Sequence, residues 1–356
     1  MSGKKFFNRL FGLLASALLP ACAGLPARHM RADIAAGRAP GAWVAGVPFE
    51  RQQPGRCGPA ALASLLNYWG RPATQAEIGR EIYSDSLKGT LGFDLWRYAR
   101  KAGLVSLEAQ NLDPAALDTL LGQGVPVLLN LNIGIGKSGG TQHYVLLTGH
   151  DRRRRLWAMQ DGIRPDRLIP DSLLMGFWGR TGRWALIAFP PEQAVKGLGP
   201  DLHIQTADRL EEMNQAGPEL RHVEEALKAR PDASDLWLRA GLLHVSAGRA
   251  ATAEKDYRTA IAIDPQKPDA YNNLADLLAR SPSRLAEAEG LARRAVALCG
   301  AFARGELRLP YALDTLGTIL VKEGKRSEAK AAYQSALSMS ADFPVAEEIR
   351  GHLAAF

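Results

Sequence analysis

The feature that most constrains the fold is a repeated spacing in the C-terminal half of this 356-residue chain. Pro231 and Pro265 stand 34 residues apart, and the segment between them is rich in alanine and other helix-forming residues. Small residues such as Gly241 and Ala253 would let two paired helices approach closely, while Tyr257 would fill the gap between neighbouring pairs. A single pair cannot bury its own apolar face, so about three pairs must stack before the array is stable. We therefore expect an all-α solenoid here.

This spacing resembles the tetratricopeptide repeat (TPR). The matching positions of the first copy are Trp237, Ala240, Gly241, His244, Gly248, Ala253, Tyr257, Ala260 and Pro265. A second, looser copy matches at Tyr271, Leu274, Ala275, Leu278 and Ala295, and a third at Leu313, Leu316, Gly317, Leu320, Gly324, Ala329, Tyr333 and Ala336. Residues 220–229 resemble the second helix of a degenerate leading repeat. The resemblance implies a TPR array over residues 216–350 whose concave surface recruits a protein partner or substrate; an ordinary helical bundle is the alternative.

The N-terminal half reads as helices followed by strands. A buried helix begins at Cys57, a capping box at Thr74 starts a second, residues 93–101 form a third, and Asp113 caps a fourth. Short runs rich in valine, leucine and isoleucine predict strands at 126–132, 143–148, 156–160 and 184–189. This order indicates an α+β domain over residues 46–192. Residues 193–215 are expected to be a linker, because the stretch from Pro190 to Pro200 is rich in proline and glycine.

Cys57 is placed as a reactive thiol would be. Its helix N-terminus, with free N–H groups and a partial positive charge, would favour the thiolate over the thiol. Pro59 fits this reading because proline is tolerated in the first helical turn. An inert core cysteine is the alternative. Acyl transfer by such a thiol further needs a base, a group that orients the base, and an oxyanion hole.

Each of these parts has a candidate. His143 is the expected base; His150, seven residues along the same strand, would point to the opposite face. The carboxylate of Asp161 is expected to orient the imidazole, although Asp161-Gly162 is also a good turn sequence. The side-chain amide of Gln52, with the backbone N–H of Cys57, would stabilise the oxyanion. Gln52 and the adjacent Gln53 are not separated by the sequence.

These motifs resemble the bacteriocin-processing, double-glycine-type cysteine peptidases of the papain clan. The resemblance is carried by Val47-Pro48-Phe49, Gln52, Cys57-Gly58-Pro59-Ala60-Ala61-Leu62, Tyr68-Trp69-Gly70, His143-Tyr144-Val145, Asp161-Gly162 and Gly182-Arg183-Trp184. It implies a papain-like fold that hydrolyses peptide bonds through a Cys-His-Asp triad of Cys57, His143 and Asp161, with Gln52 as oxyanion donor. Arg56 stands where transporter-linked members carry an acidic residue, and the chain lacks a transporter segment. Cleavage after a Gly-Gly leader is therefore not implied.

The N-terminus carries a targeting signal. Basic Lys4, Lys5 and Arg9 precede an apolar stretch, residues 10–19, that is too short to span a bilayer. Ala21-Cys22 follows, which resembles a bacterial lipoprotein signal. The resemblance implies a signal peptide over 1–21, lipidation of Cys22, and an outer-membrane lipoprotein facing the periplasm. A plain secretory signal is the alternative. The segment that follows the signal is rich in alanine, glycine, arginine and proline without a clear period, so we expect a tether over 22–45.

The remaining features argue against other functions. The net charge of +7 forms no continuous basic stripe, so nucleic acid is not an expected partner. No metal site or cofactor is expected, because ligand spacing is missing and Gly134–Gly140 lacks the context of a phosphate loop. We expect that segment to be a mobile loop over the site, Arg152–Arg155 to be a solvated turn, and Cys299 to be a buried hydrophobe. A catalytically silent peptide-binding scaffold and a thiol-dependent acyltransferase or amidase remain alternative functions.

Overall fold

The computed structural model describes residues 25–134, 140–301, 308–339 and 346–356. The chain divides into an N-terminal unit, Met1–Leu198, and a C-terminal unit, Gly199–Phe356. The predicted signal peptide and Cys22 lie outside the described residues, as does most of the Gly134–Gly140 loop. Within the described ranges, no helix combines the length and apolar character needed to cross a membrane.

The described strands of the N-terminal unit form a seven-stranded antiparallel sheet. Its order is β2-β7-β3-β4-β5-β6, and β1 pairs with the far end of β4. The strands are β1 Gly41–Trp43, β2 Val105–Ala109, β3 Val127–Asn132, β4 Gln142–Asp151, β5 Leu156–Gln160, β6 Arg167–Pro170 and β7 Ala185–Phe189. The described helices of this unit are α1 Leu25–Ala35, α2 Cys57–Tyr68, α3 Gln75–Ile82, α4 Gly92–Lys101, α5 Pro114–Gly122 and α6 Asp171–Gly179.

Helix α2 packs against the centre of this sheet. Its Leu62 and Leu66 are fully buried in one cluster with Leu128, Leu146 and Leu186 from three neighbouring strands. Burial of a leucine side chain stabilises a fold by about 1.5–3 kcal/mol, so this cluster anchors the helix firmly. Helices α5 and α6 also contact β3, which explains why the central strands are continuous apolar runs rather than alternating ones.

The four predicted strands are confirmed within a few residues as β3, β4, β5 and β7. Three other strands went unpredicted. Strands β1 and β6 are only 3 and 4 residues long. Strand β2 carries Ser106 and Glu108, which interrupt its apolar pattern. Tryptophan side chains bind polar groups of both residues. Trp96 donates to the backbone carbonyl of Ser106, and Trp184 donates to the carboxylate of Glu108.

The prediction of a tether over 22–45 was wrong for the described part of that segment. Residues 25–35 form helix α1, in which Ala27 and Met30 are almost fully buried. The carboxylate of Asp33 accepts hydrogen bonds from Arg38 and, at 2.6 Å, from Arg154. Strand β1 then adds the next residues to the sheet. These contacts with distant residues leave no local pattern in the sequence.

The C-terminal unit is all-α in its described residues, as predicted. Its elements are α7 Pro200–Glu212, α8 Ala216–Ala229, α9 Ser234–Ser246, α10 Ala250–Ile263, α11 Pro268–Leu278, a 3-10 turn at Pro282–Arg284, α12 Leu285–Ala301, α13 Arg308–Lys322, α14 Arg326–Met339 and α15 Ala346–Ala354. The predicted linker over 193–215 is wrong from residue 200 onward. Helix α7 lies there and packs on α8, because Ala207 and Leu210 join a buried cluster with Val223.

Glycine allows the paired helices to approach closely in this unit. A methyl group on Gly241 would overlap the ring of Tyr257, and one on Gly317 would overlap the ring of Tyr333. Both tyrosines are only 1% exposed. The same glycine–tyrosine contact therefore recurs in two helix pairs, as the repeat pattern predicts.

Candidate active site

Cys57 is the first residue of helix α2. The preceding residue, Arg56, makes no side-chain cap, so the first N–H groups of the helix remain available to a negative charge. Gly58 follows, and a side chain at this position would crowd Tyr144 and Thr90. The sequence thus forms a helix N-terminus whose first side chain is a half-buried thiol.

His143, at the start of β4, meets this thiol. Burial alone would raise the pKa of Cys57, but the hydrogen bond and charge of His143 outweigh it and lower that pKa. Burial alone would likewise lower the pKa of His143, and contact with Cys57 outweighs it and raises that pKa. Opposite shifts of this kind favour a thiolate facing an imidazolium.

Two backbone groups near the sulfur carry no side-chain signature. Hydrogen bonds from the backbone of Tyr144 and Gly58 further lower the pKa of Cys57. Neither residue could be identified from the sequence as part of the site, because every non-proline residue carries an N–H. Their role depends on how β4 and α2 meet.

Asp161 lies at His143, but through a different atom from the one predicted. The Nε2 atom of His143 is 3.0 Å from the backbone carbonyl oxygen of Asp161. The Asp161 carboxylate instead accepts from the backbone N–H groups of Ile163 at 2.9 Å and Arg164 at 2.7 Å, and pairs with Arg167 at 3.4 Å. The prediction that the Asp161 carboxylate binds the imidazole was therefore wrong. The alternative interpretation, that Asp161-Gly162 is a turn sequence, is the one observed, because the carboxylate closes that turn by accepting from Ile163 and Arg164.

The carbonyl contact still determines the state of the imidazole. A carbonyl can only accept, so Nε2 of His143 carries the proton in that bond. The other ring nitrogen, Nδ1, is left to face the thiol. The carbonyl therefore orients the base, while the charge of the buried Asp161 carboxylate also helps to raise the pKa of His143.

Gln52 lies against the same turn, which separates it from Gln53. Its backbone N–H donates to the carbonyl of Gly162 at 2.9 Å, and its side chain occupies the space where Gly162 lacks one. The Oε1 atom of Gln52 is buried without a hydrogen-bond partner. A buried oxygen without a partner costs about 1–3 kcal/mol. The side chain of Gln53, in contrast, is exposed.

The rival histidine is occupied elsewhere. His150 Nδ1 lies 3.0 Å from the carboxylate of Asp118, and its ring stacks on Trp157 with centroids 3.7 Å apart. It therefore belongs to a structural group with Asp118 and Trp157 at the far end of β4.

The other predicted features have structural roles. The Arg152–Arg155 run forms the turn between β4 and β5, where Arg154 pairs with Asp151 and Arg155 with Asp171. Cys299 is 3% exposed and packs against alanines of α12 and α13. The described ranges contain no cluster of three or more histidine, cysteine or acidic side chains that could hold a metal ion.

Comparison with known families agrees with this geometry. Residues 44–168 match the family described as Peptidase_C39 like. This region is a peptidase C39-like domain. Residues 241–281 and 310–343 match tetratricopeptide repeat families, so two TPR repeats follow it. No curated protein matches the chain.

Three solved structures are similar to the chain over less than half of its length. The peptidase domain of Streptococcus ComA, described as a bi-functional ABC transporter involved in a quorum sensing pathway, is 21% identical with a TM-score of 0.34, covering 41% of this chain and 99% of its own. Pseudomonas aeruginosa PilF is 18% identical with a TM-score of 0.38, covering 44% and 68%. MamA from Desulfovibrio magneticus is 17% identical with a TM-score of 0.38, covering 45% and 84%.

Proposed function

We propose that this protein is a cysteine peptidase that hydrolyses peptide bonds through Cys57 and His143. The observation that carries the proposal is the pairing of these two residues, in which the pKa of the thiol is lowered and that of the imidazole is raised. The C39-like domain that contains both residues is a peptidase family domain. Asp161 orients the base through its backbone carbonyl.

The chemistry follows from these positions. The Cys57 thiolate attacks the scissile carbonyl carbon, and the carbonyl electron pair moves onto its oxygen. Collapse of this intermediate expels the amine, which takes the proton from the imidazole nitrogen facing Cys57, and leaves a thioester. Neutral His143 then removes a proton from water as the oxygen attacks the thioester, which releases the acid and restores the ion pair.

Gln52 and the backbone N–H of Cys57 would stabilise the oxyanion. One oxyanion donor is worth about 3 kcal/mol of transition-state stabilisation. This role is supported by the position of the Gln52 side chain, which lies against the turn whose Asp161 carbonyl binds His143.

The TPR repeats would recruit a protein partner or the substrate to the peptidase. Stacked helix pairs offer an extended concave surface, the use that such arrays have in general. The basic and apolar N-terminal sequence ending in Ala21-Cys22 supports attachment to the bacterial envelope through a lipid on Cys22. Loss of incorporated labelled fatty acid in Cys22→Ser tests that attachment, and unchanged incorporation would contradict it.

A cleavage assay with a matched control tests the proposed activity. The wild-type protein, Cys57→Ala and His150→Ala are each incubated with a library of proteome-derived peptides, and new N-termini are identified by mass spectrometry. We expect the wild type and His150→Ala to generate the same new N-termini and Cys57→Ala to generate none. Products joined to an added amine, without hydrolysis, would instead indicate an acyltransferase. Absence of any product would indicate a scaffold.

A further inference from the structure

The segment that carries Gln52 is held by a buried glutamine on a neighbouring helix. Gln75, the first residue of α3, is only 7% exposed. Its Oε1 accepts from the backbone N–H of Gln53 at 2.8 Å, and its Nε2 donates to the carbonyl of Arg51 at 2.6 Å. Gln75 therefore binds the main chain on both sides of Gln52.

The same residue is fixed from the opposite side. The N–H of Gln52 donates to the carbonyl of Gly162, in the turn whose Asp161 carbonyl binds His143. The peptide groups flanking Gln52 are thus bound by Gln75 on one side and by the His143 turn on the other. With the main chain held at both ends, the direction of the Gln52 side chain is restricted.

The remaining contact of Gln75 strengthens this arrangement. Its Nε2 also reaches the carboxylate of Glu50 at 3.1 Å, and the N–H of Glu50 donates to Ser64 on α2 at 3.0 Å. Helix α2 begins with Cys57, so the segment is tied to the helix that carries the nucleophile. In the sequence, Gln75 is only the residue after the capping Thr74, and nothing local indicates that it faces this segment.

We propose that Gln75 is a positioning residue for the oxyanion donor Gln52. It does not touch the reacting atoms. It fixes the two peptide groups around Gln52, so that the amide is already aimed when negative charge develops on the substrate oxygen. This inference rests on the proposed function, because it assigns to Gln52 the role of oxyanion donor.

Gln123, which follows the last residue of α5, provides a matched control in the same unit. Its Oε1 accepts from the N–H of Lys196 at 2.7 Å, and its Nε2 donates to the carbonyls of Lys196 at 2.8 Å and Thr119 at 3.0 Å. Gln75→Leu and Gln123→Leu each remove one acceptor and two donor contacts of similar length. Only the first variant affects the segment around Gln52.

Two reactions of Cys57 distinguish the contribution of the oxyanion hole to the rate from that of the thiolate. Alkylation by iodoacetamide requires the thiolate but forms no oxyanion. Acylation by p-nitrophenyl acetate forms one: the sulfur bonds to the ester carbonyl carbon, the electron pair moves to oxygen, and its return expels p-nitrophenolate. The ratio of the Cys57-dependent rates of these two reactions therefore reports the oxyanion hole alone.

We expect Gln75→Leu to lower acylation about tenfold, a part of the 10²–10³ typical of losing a whole donor, while alkylation changes less than about twofold. In a Gln52→Ala background, Gln75→Leu should cause no further loss, since its effect passes through Gln52. Gln123→Leu should leave the ratio unchanged. An equal loss in both backgrounds, or a parallel fall of both rates, would overturn the proposal.

A second measurement does not depend on activity. The side-chain amide signals of Gln52 in an NMR spectrum, assigned by their loss in Gln52→Ala, should shift in Gln75→Leu and stay in place in Gln123→Leu. Unchanged signals in Gln75→Leu would overturn the positioning role. Shifted signals in a protein whose Cys57 is not acylated would support the positioning role and contradict the peptidase proposal instead.

Discussion

The two units of this chain build their key contacts over very different distances along the sequence. In the C-terminal unit, Gly241 meets Tyr257 and Gly317 meets Tyr333 within single helix pairs. In the N-terminal unit, the site joins Cys57 on the leading helix to His143 on the sheet, and His143 to Asp161 beyond the next strand. One unit is therefore stable through repeated local packing, while the other positions its chemistry through contacts between distant segments.

The largest expected effect concerns the contact between Cys57 and His143, which lie far apart in the sequence. His143→Ala should lower Cys57-dependent acylation by p-nitrophenyl acetate about 10²- to 10⁴-fold, the range typical of losing a general acid–base group. His150→Ala, on the same strand but bound to Asp118 and stacked on Trp157, should stay within about twofold of the wild type. Equal losses in the two variants would mean that the fold of β4, rather than the base, was disturbed.

The next effect concerns the oxyanion donor. Gln52→Ala should lower the acylation rate about 10²- to 10³-fold, with little change in alkylation by iodoacetamide. The adjacent Gln53→Ala should change either rate only a few-fold, because its side chain is exposed and its N–H contact to Gln75 is kept. A larger effect of Gln53→Ala would contradict the assignment of Gln52 as the oxyanion donor.

Disruption of the contact between Gly241 and Tyr257 should destabilise the C-terminal unit and leave the candidate active site intact. Gly241→Ala places a methyl group against Tyr257, so urea unfolding should show a loss of about 1–3 kcal/mol in the stability of the C-terminal unit. Gly290→Ala is the control, because α12 has open space at that position and alanine stabilises a helix interior by about 0.5–1 kcal/mol. The rate at which iodoacetamide alkylates Cys57 should be unchanged in both variants. A lower rate in Gly241→Ala would show that the stability of the C-terminal unit affects the site.

The smallest effect tests which atom of Asp161 matters. Asp161→Asn keeps the carbonyl that binds His143, and an amide oxygen can still accept from Ile163 and Arg164. Acylation should therefore fall less than about tenfold, through the weakened contact with Arg167. A loss near 10⁴-fold, as follows when a triad carboxylate is replaced by an amide, would show that the carboxylate orients His143 during catalysis.

The difference between the units also explains what the sequence could predict. The TPR positions recur at short range, so their glycines and tyrosines could be placed from spacing alone. The leading hairpin was only half recognised, because helix α7 carries none of the repeat's aromatic positions and begins within a proline- and glycine-rich segment. Apolar runs likewise predicted the central strands of the N-terminal unit.

The candidate site could be predicted by residue but not by atom. Cys57, His143, Asp161 and Gln52 were all named from motifs, and the structure brings them around one turn and one helix end. That the Asp161 carbonyl replaces its carboxylate depends on the Asx turn closed by Ile163, which spacing does not reveal.

The most direct test of the account is the pKa of Cys57, measured from the pH dependence of iodoacetamide alkylation and followed by mass spectrometry of the Cys57 peptide. In the wild type, His143 holds that pKa below its usual range, so the rate should reach its plateau at a pH where an ordinary thiol is still protonated. In His143→Ala, only the backbone hydrogen bonds of Tyr144 and Gly58 still oppose burial, so the pKa of Cys57 should rise, while His150→Ala should match the wild type. The same Cys57 pKa in the wild type and His143→Ala would contradict the ion pair on which the proposed peptidase depends.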